Sequence, residues 1–143
     1  MKLQKNTLFA LYSVLESASH PGRQLSAGEI ARKYRLSPHH LAKVLHTLAQ
    51  AGVVESVRGV GGGYRFAGNV KRLTLIDVIA LFENINAPAR GAAPRPRRRG
   101  AVPGVERAIG TVLSEIDAMA EATLRSISIA TLLKLIERQR LCA

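Results

Sequence analysis

The 143-residue chain is poor in cysteine, in aromatic residues and in long apolar runs. Its one cysteine, Cys142, can form neither an intramolecular disulfide nor a cysteine-only metal site. Six aromatic residues and no tryptophan leave a core that must be mainly aliphatic. No apolar run reaches the roughly 18 residues of a membrane span, and the first residues lack the pattern of a secretory signal. We therefore expect a protein of the reducing cytoplasm that does not enter a membrane.

Negative charge is also scarce, because 10 acidic side chains stand against 21 lysines and arginines, for a net charge of +11. An excess this large favours a polyanionic partner, either nucleic acid or an anionic membrane surface. The excess is uneven: residues 1–86 carry +6, residues 87–103 carry +5, and residues 104–143 are balanced.

Composition divides the chain into three parts. Residues 86–103 consist almost entirely of alanine, proline, glycine and arginine, a composition that cannot build a core, so they are predicted to form a flexible linker. Before the linker, residues 1–85 should form one folded domain. After it, residues 104–143 should form a separate C-terminal segment.

Hydrophobic periodicity predicts three helices in the first 51 residues. They cover residues 4–18, then Ala27–Tyr34 with a capping box of Ser26 and Glu29, then Pro38 to about Ala51, capped by Ser37. Two short helices joined by a tight turn are typical of a helix-turn-helix, whose second helix presents its N-terminal residues to base edges.

A glycine-rich hairpin follows the candidate recognition helix. Residues 53–58 and 64–67 are predicted strands around the turn 59–63, and such a hairpin makes a wing. A nucleotide-binding glycine loop would lead from a strand into a helix, which this one does not. An ordinary hairpin turn would need fewer glycines. A glycine tip can approach a phosphate or enter a minor groove, where arginine is favoured. The DNA-contact candidates are Lys2, Ser26, Ser37, Pro38, His39, His40, Lys43, Arg58, Gly59, Gly61, Gly62 and Tyr64.

Three further helices are predicted. Thr74 caps a helix with a buried face of Leu75, Val78, Ile79 and Phe82. A long helix spans about 105–125, and its apolar residues recur every four and three positions. We expect this stripe to pair with a second chain; its members are Val105, Ile109, Val112, Ile116 and Met119. The last helix, 129–140, should bury Leu132, Leu133 and Ile136. The predicted fold class is mainly α with a β-hairpin wing. Residues 1–85 are predicted to form a winged helix-turn-helix DNA-binding domain, and residues 104–143 a long dimerisation helix and a C-terminal helix.

No catalytic or metal-binding constellation is visible, so we do not expect an enzyme. His39 and His40 are adjacent and therefore point to different faces of a helix, and no carboxylate or cysteine lies near them in sequence.

Several segments together resemble the Rrf2 family of transcriptional regulators over about residues 1–84, and more weakly over about 115–133. They are Met1-Lys2-Leu3, Glu29-Ile30-Ala31, Leu36-Ser37-Pro38, Gly52-Val53-Val54, Ser56-Val57-Arg58-Gly59, Gly61-Gly62-Gly63-Tyr64-Arg65, Asp77-Val78-Ile79 and Ile127-Ser128-Ile129-Ala130. The resemblance implies a dimeric winged-helix regulator, more often a repressor. Its recognition helix would enter the major groove, and Arg58 would probe the minor groove.

The resemblance also implies an iron–sulfur cluster in many members, held by three cysteines and a fourth ligand. This chain departs from that pattern, since residues 84–110 contain no cysteine or histidine and Leu8 stands where some relatives place an acidic ligand. We therefore expect no cluster and no other cofactor. Whether the cysteines were lost naturally or by engineering stays open.

The leading hypothesis is a homodimer that binds a partly palindromic operator in double-stranded DNA and represses transcription. Two alternatives stay open: an architectural nucleic-acid binder driven by charge, and a protein-interaction module that docks on a metabolic enzyme. The sequence does not identify the operator, the regulated genes or the effector. It also does not decide between activation and repression, and it assigns no role to Cys142.

Overall fold

The structure, a computed structural model, describes residues 2–85, 100 and 102–143. It is mainly helical, with one two-stranded antiparallel hairpin, and it confirms the predicted winged helix fold. The elements in chain order are α1 (Lys5–Ser19), α2 (Ala27–Tyr34), α3 (Pro38–Gln50), β1 (Val54–Val57), β2 (Gly63–Phe66), α4 (Leu75–Ile79), α5 (Pro103–Ser126) and α6 (Ile129–Leu141). Most of the predicted linker, residues 86–99 and 101, lies outside the described residues.

The core is mainly aliphatic, with Phe9 as its buried aromatic residue among those described, and it lies where α1, α2 and α3 meet. The predicted apolar face of α3 is fully inside it, because its members recur at three- and four-residue spacing and so share one side of the helix. Its buried members are Leu41, Val44, Leu45 and Leu48. Val14 of α1 and Ile30 of α2 pack into the same cluster.

Helix starts follow the predicted capping in two cases and depart from it in one. The Glu29 N–H donates to the Ser26 hydroxyl (3.1 Å) and the Ser26 N–H to the Glu29 carboxylate (2.8 Å), which completes the box at α2. Thr74 and Asp77 form the same arrangement at α4. Ser37 occupies the predicted N-cap position of α3, but its side chain makes no capping hydrogen bond. Pro38 in the first turn starts this helix with a preset φ.

The buried faces of α4 and α6 also differ from expectation. Helix α4 buries Ile76, Val78 and Ile79 and ends at Ile79, while Leu75 at its start and Phe82 beyond its end are half-buried against the edge of the core. The Leu75 N–H, which has no partner within the helix, donates to the carbonyl of Ile127 (2.9 Å). In α6 the predicted core residues are only half-buried; they are Leu132, Leu133 and Ile136.

The C-terminal segment returns to the N-terminal domain between α5 and α6. The Ile129 N–H donates to the Leu73 carbonyl (2.8 Å) and the Ala130 N–H to the Val70 carbonyl (2.9 Å), so the chain forms a short antiparallel bridge beside α4. The Ile129 side chain is 0% exposed and belongs to the main core. The C-terminal end of α5 is therefore fixed to the winged helix domain by the backbone hydrogen bonds and the packing of the residues that follow it.

The long helix α5 buries none of its described side chains. At 24 residues it is about 36 Å long. Its apolar stripe is 42–70% exposed; the members are Val105, Ile109, Val112, Leu113, Ile116 and Met119. A stripe this continuous and uncovered marks an interaction surface.

Candidate nucleic-acid interface

Helix α3 presents a polar face at its N-terminal end. All five residues predicted to contact DNA there are exposed; they are Ser37, Pro38, His39, His40 and Lys43. The opposite face of the helix is anchored in the core, so the exposed residues cannot rotate away. The His39 and His40 rings lie 6.1 Å apart and tilt by 47°, as expected for neighbours that point to different faces.

The turn between α2 and α3 is made by a residue that the sequence does not mark as a turn. Arg35 caps the end of α2 in a left-handed backbone conformation (φ 54°, ψ 47°), a role usually taken by glycine or asparagine. The Leu36 N–H then donates to the Ala31 carbonyl (2.8 Å). Because arginine carries no turn signal, the left-handed cap could not be predicted.

The wing has the predicted strands in a tight register. Val54 pairs with Phe66, and Val57 pairs with Gly63 at the tip. Arg65 forms an ion pair with Glu55 directly across the hairpin. Arg58, just beyond β1, is exposed and makes no ion pair or side-chain hydrogen bond within the described residues. Of the two wing arginines, Arg58 is therefore the one free to contact a ligand.

Leu25 pairs with the wing strand β2 and so attaches the wing to the helix-turn-helix. The Leu25 N–H donates to the Tyr64 carbonyl (2.8 Å), and the Tyr64 N–H donates to the Leu25 carbonyl (2.8 Å). Leu25 directly precedes Ser26, the cap of α2. Sequence reasoning missed this contact because a single bridging residue leaves no periodic signal.

Three other residues predicted to contact DNA lie outside the exposed end of α3 and the tip of the wing. Tyr64 is the bridge partner of Leu25, and Ser26 directly follows Leu25, but the Ser26 hydroxyl is used in capping α2. Lys2 is exposed ahead of α1, and no hydrogen bond or ion pair joins it to α3 or to the wing in the described part of the chain. Its place at a DNA surface stays a prediction.

The tip of the wing carries an apolar residue that sequence reasoning did not single out. Val60 is fully exposed between Gly59 and Gly61, which both have positive φ. Turn centres usually hold polar residues or glycine. An exposed valine there was therefore the available signal of a contact surface.

A carboxylate network fixes the angle between α1 and α2. Buried Glu16 accepts hydrogen bonds from the Lys33 ammonium (2.8 Å to each oxygen) and from the Tyr34 hydroxyl (2.7 Å). Burial raises the pKa of the Glu16 carboxyl, but these partners lower it more, to below its ordinary value of 4.5. Burial and the Glu16 carboxylate together raise the pKa of Tyr34 above its ordinary value of 10.0. Tyr12 stacks on Tyr34 with ring centroids 5.0 Å apart.

The donor set does not fit an iron–sulfur cluster of the type described above. Cys142 is exposed at the end of the chain, and no group of three or more histidine, cysteine or acidic residues suited to a metal occurs among the described residues. The sequence between Asn84 and Gly110 supplies no thiol or imidazole.

Within the same described ranges, no helix has the length and apolar character needed to cross a bilayer.

An exposed recognition helix followed by a wing defines a winged helix-turn-helix protein. The profile of the Rrf2 family, described as an iron-dependent transcriptional regulator, matches residues 3–135. The chain therefore belongs to the Rrf2 family, and it is a DNA-binding transcriptional regulator rather than an enzyme.

Relatives agree with this assignment, and solved structures share the fold. A candidate HTH-type transcriptional regulator, BadM of Rhodopseudomonas palustris, is 53% identical over 140 residues, covering 98% of this chain and 86% of BadM. NsrR of Bacillus subtilis is 34% identical over 85 residues, or 59% of this chain and 58% of NsrR. The structure of T. potens IscR has the same fold, with a TM-score of 0.75 at 24% identity over 97% of this chain and 90% of that one. CymR, the global cysteine regulator of B. subtilis, gives a TM-score of 0.69 at 23% identity, covering 94% and 98%.

Proposed function

We propose that this regulator binds a partly palindromic operator as a homodimer and represses transcription by occupying it. The observation that carries the proposal is the one-sided exposure of α3. Its apolar face is locked in the core, while His39, His40 and Lys43 stand in solvent at the end that reads bases in helix-turn-helix proteins. Histidine and lysine can both hydrogen-bond to base edges or phosphates in the major groove.

The wing adds a second point of contact. Arg58 is unpaired within the described chain and sits at the shoulder of a narrow hairpin tip, and arginine is the side chain most favoured in a narrow minor groove. Val60 at the apex offers an apolar surface to the same groove. Readout by α3 and by the wing together supports sequence-specific binding over binding by charge alone.

Dimerisation is supported by the uncovered stripe of α5. Burying one large aliphatic side chain gains about 1.5–3 kcal/mol, and several such residues are exposed along this helix. Pairing with the same stripe of a second copy covers all of them and relates two recognition helices by a two-fold axis. A two-fold protein fits a palindromic site.

The protein would act without an iron–sulfur cluster, because the chain supplies no thiolate set to hold one. A regulator of this kind is expected in the cytoplasm, where it meets its operator. We expect purified protein to bind DNA equally well with and without a chelator.

The test is a selection from a randomised duplex library with the full chain, followed by sequencing of the retained duplexes. Enrichment of a two-fold-symmetric motif is the expected result. Retention without any motif would favour an architectural binder, the second candidate, which the net charge of +11 supports. Specific binding survives an excess of random DNA, whereas charge-driven binding does not. Loss of a reporter's expression when the motif overlaps its promoter would establish repression, and a rise would contradict it.

A further inference from the structure

The glycines of the wing fall into two groups, which differ in the structural reason why the position requires glycine. Gly59 and Gly61 have positive φ (107° and 75°), and a Cβ added to either would meet open space. Gly62 and Gly63 do not have a left-handed backbone, but an added Cβ would collide with main-chain atoms. The first pair is needed for the shape of the turn, and the second pair for a close approach of backbones.

Gly62 lies against the segment that carries Arg58. A Cβ on Gly62 would be 2.4 Å from the carbonyl oxygen of Val57 and 2.8 Å from that of Gly59. These two residues flank Arg58 on either side. The Gly62 N–H also donates to the Gly59 carbonyl (3.0 Å). The backbone on both sides of Arg58 is therefore held against a residue that has no side chain.

Gly63 lies against the segment that leads into the helix-turn-helix. A Cβ on Gly63 would be 2.5 Å from the Leu25 carbonyl oxygen and 3.0 Å from the Ser26 nitrogen. The paired hydrogen bonds between Leu25 and Tyr64 hold the two segments at that distance. Any side chain at Gly63 must push the wing away from the start of α2.

We propose that Gly62 and Gly63 are positioning residues, which hold Arg58 at a fixed place relative to the recognition helix. The inference rests on the proposed function, since it requires Arg58 to contact DNA. It also changes the role first expected for Gly62, from a DNA contact to a packing contact. Both glycines act through Arg58: they allow α3 and Arg58 to reach one duplex at the same time.

A double-mutant cycle tests this mechanism. Wild type, Gly63→Ala, Arg58→Ala and the double variant are titrated by fluorescence anisotropy with the most enriched duplex from the selection and with a shuffled duplex of the same composition. Each single variant should lose about tenfold in affinity for the enriched duplex. The double variant should bind no worse than Arg58→Ala, because residues that act through one contact are not additive. Gly63→Ala should bind the shuffled duplex like wild type.

Two further variants keep the result interpretable. Gly62→Ala replaces Gly63→Ala in the cycle if circular dichroism shows that the latter is unfolded. Gly104→Ala is the matched control, since a Cβ there meets nothing within 4 Å and needs no left-handed backbone; it should bind like wild type.

The contrary outcomes separate this inference from the proposed function. Additive losses, wild-type binding by both wing-glycine variants, or unfolding of both would overturn the positioning role while leaving Arg58 as a DNA contact. Wild-type binding by Arg58→Ala, or a selection without a motif, would overturn the role of Arg58 and the positioning role together.

Discussion

At the scale of single residues, the Ser17 hydroxyl is fully buried on α1 and has no hydrogen-bond partner among the described residues. An unsatisfied buried polar group costs about 1–3 kcal/mol, and alanine is also the better helix former. We expect Ser17→Ala to raise the free energy of unfolding by about 1 kcal/mol, measured by urea denaturation.

Ser13 provides the matched control on the same helix. It is equally buried, but its hydroxyl donates to the Phe9 carbonyl (2.8 Å). Ser13→Ala should therefore gain less stability than Ser17→Ala or lose some. A Ser17→Ala protein that unfolds at lower urea than wild type would show that the hydroxyl has a partner after all.

The ionisation of Glu16 predicts how the stability of the fold depends on pH. Its folded-state pKa is lowered, mainly because Lys33 and Tyr34 outweigh the cost of burial, so the carboxylate stabilises the fold above pH 4.5. That contribution is lost as the pH falls through the lowered pKa. We expect Glu16→Gln to be less stable than wild type by about 1–3 kcal/mol at pH 7.

The difference between wild type and Glu16→Gln should shrink steadily below pH 4.5 in thermal melts followed by circular dichroism. Glu137→Gln is the control, because Glu137 is exposed on α6 and makes no ion pair within the described chain. A stability gap that stays constant down to pH 2 would mean that Glu16 contributes by packing rather than by charge.

At the scale of elements, prediction from sequence succeeded where one face or one cap decides the structure. The buried stripe of α3, the capping box at Ser26 and the cap at Thr74 depend on local residue spacing, which is visible in the sequence. It failed where a distant segment decides. The start of α4 is bonded to Ile127 through the Leu75 N–H, and the wing is attached through Leu25, and neither contact has a local signal.

The candidate site shows the same division. The exposed end of α3 and the tip of the wing were predicted, because glycines and helix starts are local features. The difference between Arg58 and Arg65 could not be predicted, since it depends on the register that puts Glu55 opposite Arg65. The distinct roles of the wing glycines likewise depend on which backbone lies behind each of them.

The two wing arginines therefore give a matched pair for a prediction on DNA binding. Arg58→Ala should weaken specific binding by about 1–3 kcal/mol, because it removes an unpaired cation at the tip of the wing. Arg65→Ala should cost clearly less, because Arg65 is already paired with Glu55. Anisotropy titrations with the selected duplex measure both. Equal losses would show that the wing contributes only diffuse positive charge.

At the scale of the whole molecule, α5 connects the winged helix domain to the proposed dimer interface. The segment that follows its C-terminal end is joined to the start of α4 by the bridge between Thr74 and Ser128, while its apolar stripe is open to solvent. The charged side chains of α5, four acidic and two basic, lie off this stripe. An apolar stripe on a rigidly attached helix can pair with its copy and can set the distance between two DNA-reading surfaces.

Ile116, in the middle of the stripe, is the position at which to test this assembly. It is 55% exposed in the single chain, and Ile116→Glu would place two carboxylates in the apolar seam of a dimer. An unpaired charge buried in an interface costs several kcal/mol, so the variant should be a monomer by sedimentation equilibrium at concentrations where wild type is a dimer. Ser114→Glu, which adds the same charge off the stripe, should remain dimeric.

DNA binding should change in step with assembly if the two-fold axis matters for recognition. The Ile116→Glu monomer should keep its fold and its weak affinity for a single half-site. It should lose most of its affinity for the full palindrome, because the second half-site no longer binds at a high effective concentration. Measured losses of only a few fold would mean that one winged helix domain supplies the specificity alone.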